Sequence, residues 1–251
     1  MRFVPSFISS MGFAGLILAR SVQYFPYVLV FSRPRADLFR QLYATGIRTL
    51  PVVTVVSVFM GMILSLQVGL ELARFNQELY LGAAVMLTLL REMGACCCGI
   101  CLAACVGSAI AAELGTMKVN DEIDALKIMG IPPERFLAAP RILALVLMAP
   151  VVAFYCCIMG ALGGGIVGAT QLNVDFQQFM SGALWMAESK DLFVGIGKSA
   201  LFGLLIGVIS VSEGLGTNLG AIGVGKSTQR AVIVSFLAIL ISGYMVSRVF
   251  Y

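Results

Sequence analysis

Three ionisable residues stand where hydrocarbon is expected. Arg91 and Glu92 interrupt a stretch that is uncharged over 79–90 and again over 93–112, and Lys198 lies within the otherwise uncharged run 192–212. A charge inside a bilayer costs several kcal/mol unless it is paired or hydrated, so each is a functional candidate by default. Neighbours in a helix point about 100° apart, so Arg91 and Glu92 are badly placed to pair with one another. Glu92 is therefore expected to meet Lys198. That leaves the Arg91 guanidinium, whose planar fork suits phosphate oxygens, for a lipid phosphate. The competing reading is an ion-pair network that only holds helices in register.

Two further patterns resemble known chemistry. Cys97, Cys101 and Cys105 repeat at i, i+4, i+8, a spacing that could relay a soft metal. The chain has no histidine, and the intervening residues are small, so tight helix packing is the better reading. Gly160, Gly164 and Gly168, and likewise Gly203 and Gly207, are small-residue stripes of the same kind. Gly220 to Ser227 satisfies the phosphate-loop pattern G-x-x-x-x-G-K-[ST]. That loop works only between a buried strand and a soluble helix, with a magnesium-binding acid elsewhere. Here an apolar run, 231–247, follows it, so the match is read as chance and Lys226 and Arg230 as membrane anchors.

The most structured polar segment is Asn120 to Gly130. Asn120 is a suitable N-cap; Asp121, Glu122 and Asp124 suit the positive end of a helix dipole, and Lys127 the other end. Gly130, Pro132 and Pro133 then stop the helix. Ile123, Leu126 and Met129 form a short apolar stripe. A helix over 120–129 is too short to be stable alone, so it should rest on a partner.

The elements that position these residues follow from composition. Of 251 residues 59% are hydrophobic and 12% charged, with mean hydropathy +0.96. A soluble domain carries about a quarter charged residues, so soluble, coiled-coil, collagenous and disordered classes are excluded. The net charge of +4 is diffuse, with no basic cluster interleaved with aromatics, and no nucleic-acid partner is expected. The seven cysteines all lie in apolar runs and read as small buried side chains rather than a disulfide framework. A crossing takes about 20 apolar residues. Runs of that kind predict five spans at about 49–70, 79–112, 142–172, 192–212 and 231–249, the third longer than one crossing needs, so that it must tilt, protrude or kink near Pro150.

Lys and Arg fall mainly on one side. Arg2, Arg20, Arg33, Arg35, Arg40 and Arg48 precede the first span; Lys118, Lys127, Arg135 and Arg141 follow the second; Lys226 and Arg230 follow the fourth. Arg74, Lys190 and Arg248 occupy the other side. The positive-inside rule then puts the N-terminus in the cytoplasm and the C-terminus outside. Residues 1–45 form a separate segment. Phe3, Phe7, Met11, Leu18, Val22 and Phe25 recur at roughly helical spacing, which predicts an interfacial helix lying on the membrane rather than a signal peptide.

At this point the sequence resembles a family. Arg91-Glu92-Met93-Gly94, the block Gly107 to Val119, Glu122 to Leu126 and Met129-Gly130 are similar to the MlaE/YrbE permeases. Gln41-Leu42-Tyr43, Phe59 to Met62, Gly223 to Lys226 and Arg230 to Val232 extend the resemblance over roughly 38–250. It implies an all-α integral membrane protein: an N-terminal interfacial helix, then a permease domain over 46–251 with five spans and a short cytoplasmic coupling helix. It implies a homodimer in the bacterial inner membrane, bound to two cytoplasmic ABC ATPases that carry ATP and magnesium, with no cofactor in this chain. A periplasmic MCE-domain protein, hexameric, and a small STAS-type accessory protein complete the implied assembly, and phospholipid is the implied cargo. On this reading Glu122, Ile123, Asp124, Leu126 and Met129 couple to the ATPase, Glu213 is a second contact to it, and Arg91, Glu92 and Lys198 line the lipid cavity. The chain departs from the family pattern at Ala95, where proline is usual, and at Cys105, where arginine is usual.

The leading expectation is thus a lipid permease that hydrolyses nothing itself. The rivals are a secondary transporter of a hydrophobic solute coupled through Glu92 and Lys198, and a lipid-modifying membrane enzyme for which the chain offers no histidine or clustered aspartates.

Overall fold

The protein is described here by a computed structural model, covering residues 32–172, 174–218 and 220–251, together with Gly15, Ile17, Ser21, Gln23 and Tyr24. The rest of the expected interfacial helix over 1–45 lies outside the described residues. No strand occurs among the described residues. Hydrocarbon offers no hydrogen-bond partner to the backbone, so apolar runs this long must satisfy their amides within the segment, as helices do.

Among the described residues the α-helices are α1 (Ser32–Thr45), α2 (Leu50–Arg74), α3 (Leu81–Thr88), α4 (Gly94–Leu102), α5 (Ser108–Val119), α6 (Glu122–Ile128), α7 (Ala139–Gln171), α8 (Phe176–Met186), α9 (Ser189–Leu215) and α10 (Gly220–Phe250). Among the described residues five stretches are long and apolar enough to cross a membrane: Asp37–Arg74, Glu78–Val119, Glu134–Gln171, Ser189–Leu215 and Gly220–Phe250. The protein is an all-α integral membrane protein. Among the described residues π-turns at Leu89–Met93 and Ala103–Gly107 interrupt the second stretch, and one at Glu134–Ala138 opens the third. The helix of the third stretch continues through Pro150.

Two local expectations need correction. Asn120 does not cap the coupling helix; it ends α5, and Asp121, at φ 59°, makes the left-handed turn into α6. Gly130, at φ 74°, closes α6 beyond Ile128. The last helix begins at Gly220, well before the apolar run at 231, because helix formation does not stop where hydrocarbon stops.

The described residues form two compact units. One contains the described part of Met1–Thr49 with Leu102–Met148 and Ala200–Leu240; the other contains Leu50–Cys101, Ala149–Ser199 and Ile241–Tyr251. In the second, glycines bring backbones together. A Cβ on Gly61 would stand 1.8 Å from the Gly160 carbonyl oxygen, and one on Gly82 would stand 2.0 Å from that of Phe179. Membrane helices lack a hydrophobic drive to associate and depend on such close van der Waals contact. Phe179 of α8, 1% exposed, packs in a core with Leu81, Val85, Leu89 and Cys157. In the first unit Gly207 lies against Ile142, and Gly214 against Ala111 and Leu114.

Candidate functional site

The π-turn Leu89–Met93 carries both Arg91 and Glu92. A π-turn widens the helix by one residue and alters which carbonyls the helix itself can use. The Arg91 carbonyl is taken by a side chain: Lys198 Nζ donates to it at 2.8 Å. The same ammonium donates to Glu92 Oε1 at 2.9 Å and to Ser247 Oγ at 2.7 Å. An ammonium has three protons, and here each has an acceptor. Ser247 also lies against Glu92 Oε1 and the Gly243 carbonyl, either of which can take its one hydroxyl proton. The Lys198 side chain is fully buried, while that of Glu92 is 40% exposed.

Arg91 is not left free, contrary to the expectation from the sequence. Its Nε donates to Asp191 Oδ1 at 3.0 Å, and its guanidinium lies 4.5 Å from the centre of the Tyr251 ring. The Tyr251 hydroxyl donates to the same Asp191 oxygen at 2.6 Å. Asp191 is fully buried, with Oδ2 lacking a partner, whereas Arg91 keeps 36% of its side chain exposed. A carboxylate this buried requires a cation beside it, and Arg91 is the one in reach.

Two ion pairs therefore share one logic. Each has one fully buried member, Lys198 or Asp191, and one member that reaches the surface, Glu92 or Arg91. The outcome is a guanidinium and a carboxylate presented side by side from one turn of helix. Asp191 and Tyr251 were not anticipated from the sequence. Asp191 stands at i, i+7 to Lys198, about two turns of helix, so the same-face relation was readable. Tyr251, at the far end of α10, had no such signal.

The segment expected to couple to an ATPase is arranged differently. Asp124 accepts from Lys118 at 2.7 Å and from Lys127 at 3.0 Å, and all three side chains are substantially exposed. The hydrogen bond from Lys118, then that from Lys127, hold the Asp124 carboxyl below the usual carboxylate range. Glu122 is exposed and Leu126 half-buried. Ile123 is only 2% exposed, so it packs inward and cannot be a partner contact. The apolar surface instead comes from Ile128, 88% exposed, and Met129, 65% exposed. Of the anticipated stripe Met129 stays exposed and Leu126 half-buried while Ile123 turns inward, and Ile128, the last residue of α6, extends the exposed part. Glu213 is likewise no free docking contact: it is 9% exposed and lies 3.8 Å from Arg230.

The remaining motifs take their places. The phosphate-loop match opens α10 as a helix, with Ser227 buried and bonded to Thr217 at 2.9 Å. Cys97, Cys98, Cys101, Cys156 and Cys157 are buried between helices, with Ser57 Oγ 3.0 Å from Cys156 Sγ. Among the described residues no group of three or more His, Cys, Asp or Glu is placed to hold a metal ion.

Similarity to known proteins bears on the same stretch. The family model described as Permease MlaE matches residues 38–249. A "Probable ABC transporter permease protein" of Rickettsia felis is 34% identical over 236 residues, 92% of this chain and 91% of the relative. The "Intermembrane phospholipid transport system permease protein MlaE" of Haemophilus influenzae is 31% identical over 209 residues, 81% of this chain and 78% of the relative. The chloroplastic protein TRIGALACTOSYLDIACYLGLYCEROL 1 of Arabidopsis thaliana is 33% identical over 215 residues, 86% of this chain and 61% of the relative. The paired charges of the second span, the five crossing helices and the matched stretch together place this chain in the MlaE permease family, as a membrane transport subunit.

Proposed function

We propose that this chain is the permease subunit of an ABC transporter that moves phospholipid between the inner and outer membranes. The observation that carries the lipid assignment is the surface-reaching pair Arg91 and Glu92, each backed by a fully buried counter-ion. Lys198 holds Glu92 and Asp191 holds Arg91, so the pair is kept in place before any ligand arrives. A phosphate oxygen can take the guanidinium edge that Asp191 leaves over, since Arg91 offers five N–H donors and Asp191 is bonded by Nε.

ATP and magnesium belong on a separate cytoplasmic ATPase, two copies to a permease homodimer, and this chain needs no cofactor of its own. The ATPase docks on α6 through Glu122 and Asp124, through the exposed Ile128 and Met129 and through the half-buried Leu126. A periplasmic MCE-domain protein, as a hexamer, and a small STAS-type protein complete the assembly. The bias of Lys and Arg supports an N-terminus in the cytoplasm and a C-terminus in the periplasm, in the bacterial inner membrane.

Arg91→Ala combined with Asp191→Asn, so that no buried charge is orphaned, tests the lipid assignment in the purified complex. Co-purified phospholipid should fall severalfold while the five-helix protein stays folded. An unchanged lipid yield would leave Arg91 a structural partner of Asp191 alone.

A further inference from the structure

The unit containing Leu102–Met148 and Ala200–Leu240 encloses a cavity of about 740 Å³ that includes none of the residues discussed above as lipid-binding. Three elements build it: α1 and the turn after it supply Arg40 and Arg48, the second span supplies Cys105 and Glu113, and the start of the third supplies Phe136 and Arg141. Its volume is in the range of sites that hold a drug-sized ligand.

The lining is basic and amphipathic. Arg141 is 94% buried by its side chain (6% exposed), pairs with Glu113 at 2.9 Å and donates to the Leu137 carbonyl at 2.8 Å. Its Nε is buried without an acceptor. Glu113 is thereby committed to Arg141. Arg40 and Arg48 are exposed and make no ion pair among the described residues, and Asp37 is the one other carboxylate on the wall. An uncommitted positive charge thus faces a space with Phe136 and Leu137 on its other wall. The opposite face of α1 carries Phe39 and Tyr43, and Ile47 follows in the turn after it, the three 55–68% exposed. That stripe suits contact with acyl chains and puts the basic lining beside them.

We infer that this cavity binds a phosphate ester, the headgroup of an anionic amphiphile, with Arg48 and Arg40 receiving the phosphate and Phe136 and Leu137 the apolar part that follows it. With the orientation proposed above, the site draws on the cytoplasmic leaflet, where anionic lipids concentrate. It stands independently of the assignment of Arg91.

Cys105 lines the cavity and reports on it directly. In delipidated full-length protein, alkylation of Cys105 by N-ethylmaleimide is followed by peptide mass. Phosphatidylglycerol in mixed micelles should slow it at least fivefold, and phosphatidylcholine should not. Arg48→Gln should abolish the protection and Arg48→Lys should retain it, with thermal melts confirming that each variant is folded. Equal protection by glycerol 3-phosphate would support the phosphate site and assign it to a soluble ester. Protection that is absent, the same for both lipids, or indifferent to Arg48→Gln and Arg40→Gln would overturn the proposal; the wild-type comparison alone decides the first two.

Discussion

The charges around Lys198 and those around Asp124 are drawn from the same residue types, yet they do different work. Lys198 and Asp191 are fully buried, and their bonds to Glu92 and Arg91 are conditions for keeping a charge out of water at all. Asp124, Lys118 and Lys127 are 24–56% exposed, and water would serve each of them nearly as well. Burial, not charge count, decides which cluster the fold depends on. In the proposed function the buried cluster holds two side chains ready for a ligand, and the exposed one shapes a surface for a partner.

The largest effect should come from orphaning a buried ion. Glu92→Gln or Arg91→Met removes the partner of fully buried Lys198 or Asp191, a change that typically costs about 3–5 kcal/mol. Thermal melting in detergent should show a clear fall in Tm for both. A change of under a degree would mean that water reaches these pairs and that the contrast with Asp124 is false. Pairing Lys198→Met with Glu92→Gln should recover much of the loss, because no unpaired charge is left behind.

Reversing the charge at the partner surface should affect assembly and not the fold. Glu122→Lys should release the ATPase from the purified complex while Tm is unchanged. Full co-purification would remove α6 from the docking surface. The smallest effect belongs to Asp124→Asn, which should leave the melt where it was. A carboxyl held below its ordinary value of about 3.9 adds stability in full above that pH, and loses it as pH falls through the lower folded value. The contribution of Asp124 should therefore be flat between about pH 5 and 8. A titration in that window would implicate another group.

The comparison also shows what a linear sequence can display. The five crossings were legible because charge-free runs are a one-dimensional signal, and hydrocarbon enforces it residue by residue. The meeting of Glu92 with Lys198 was legible by the same route, since two opposite charges in apolar runs have few other places to go. The capture of Arg91 by Asp191 and Tyr251 was not: it depends on how α10 ends beside the start of α9. The π-turns were hidden as well, since the turn that carries Arg91 has no proline to mark it. Ile123 was assigned to the partner face by spacing, but spacing says which residues share a stripe and not which side of it is covered.

In the proposed function, lipid movement through this chain is driven by ATP on a partner. Proteoliposomes containing the permease and its ATPase, loaded with fluorescent phospholipid, test it directly. Lipid transfer to an acceptor should require ATP and magnesium, and should stop when the ATPase is omitted or when Glu122→Lys detaches it. Transfer at the same rate by the permease alone, driven by an ion gradient without ATP, would contradict the account and restore a secondary transporter working through Glu92 and Lys198.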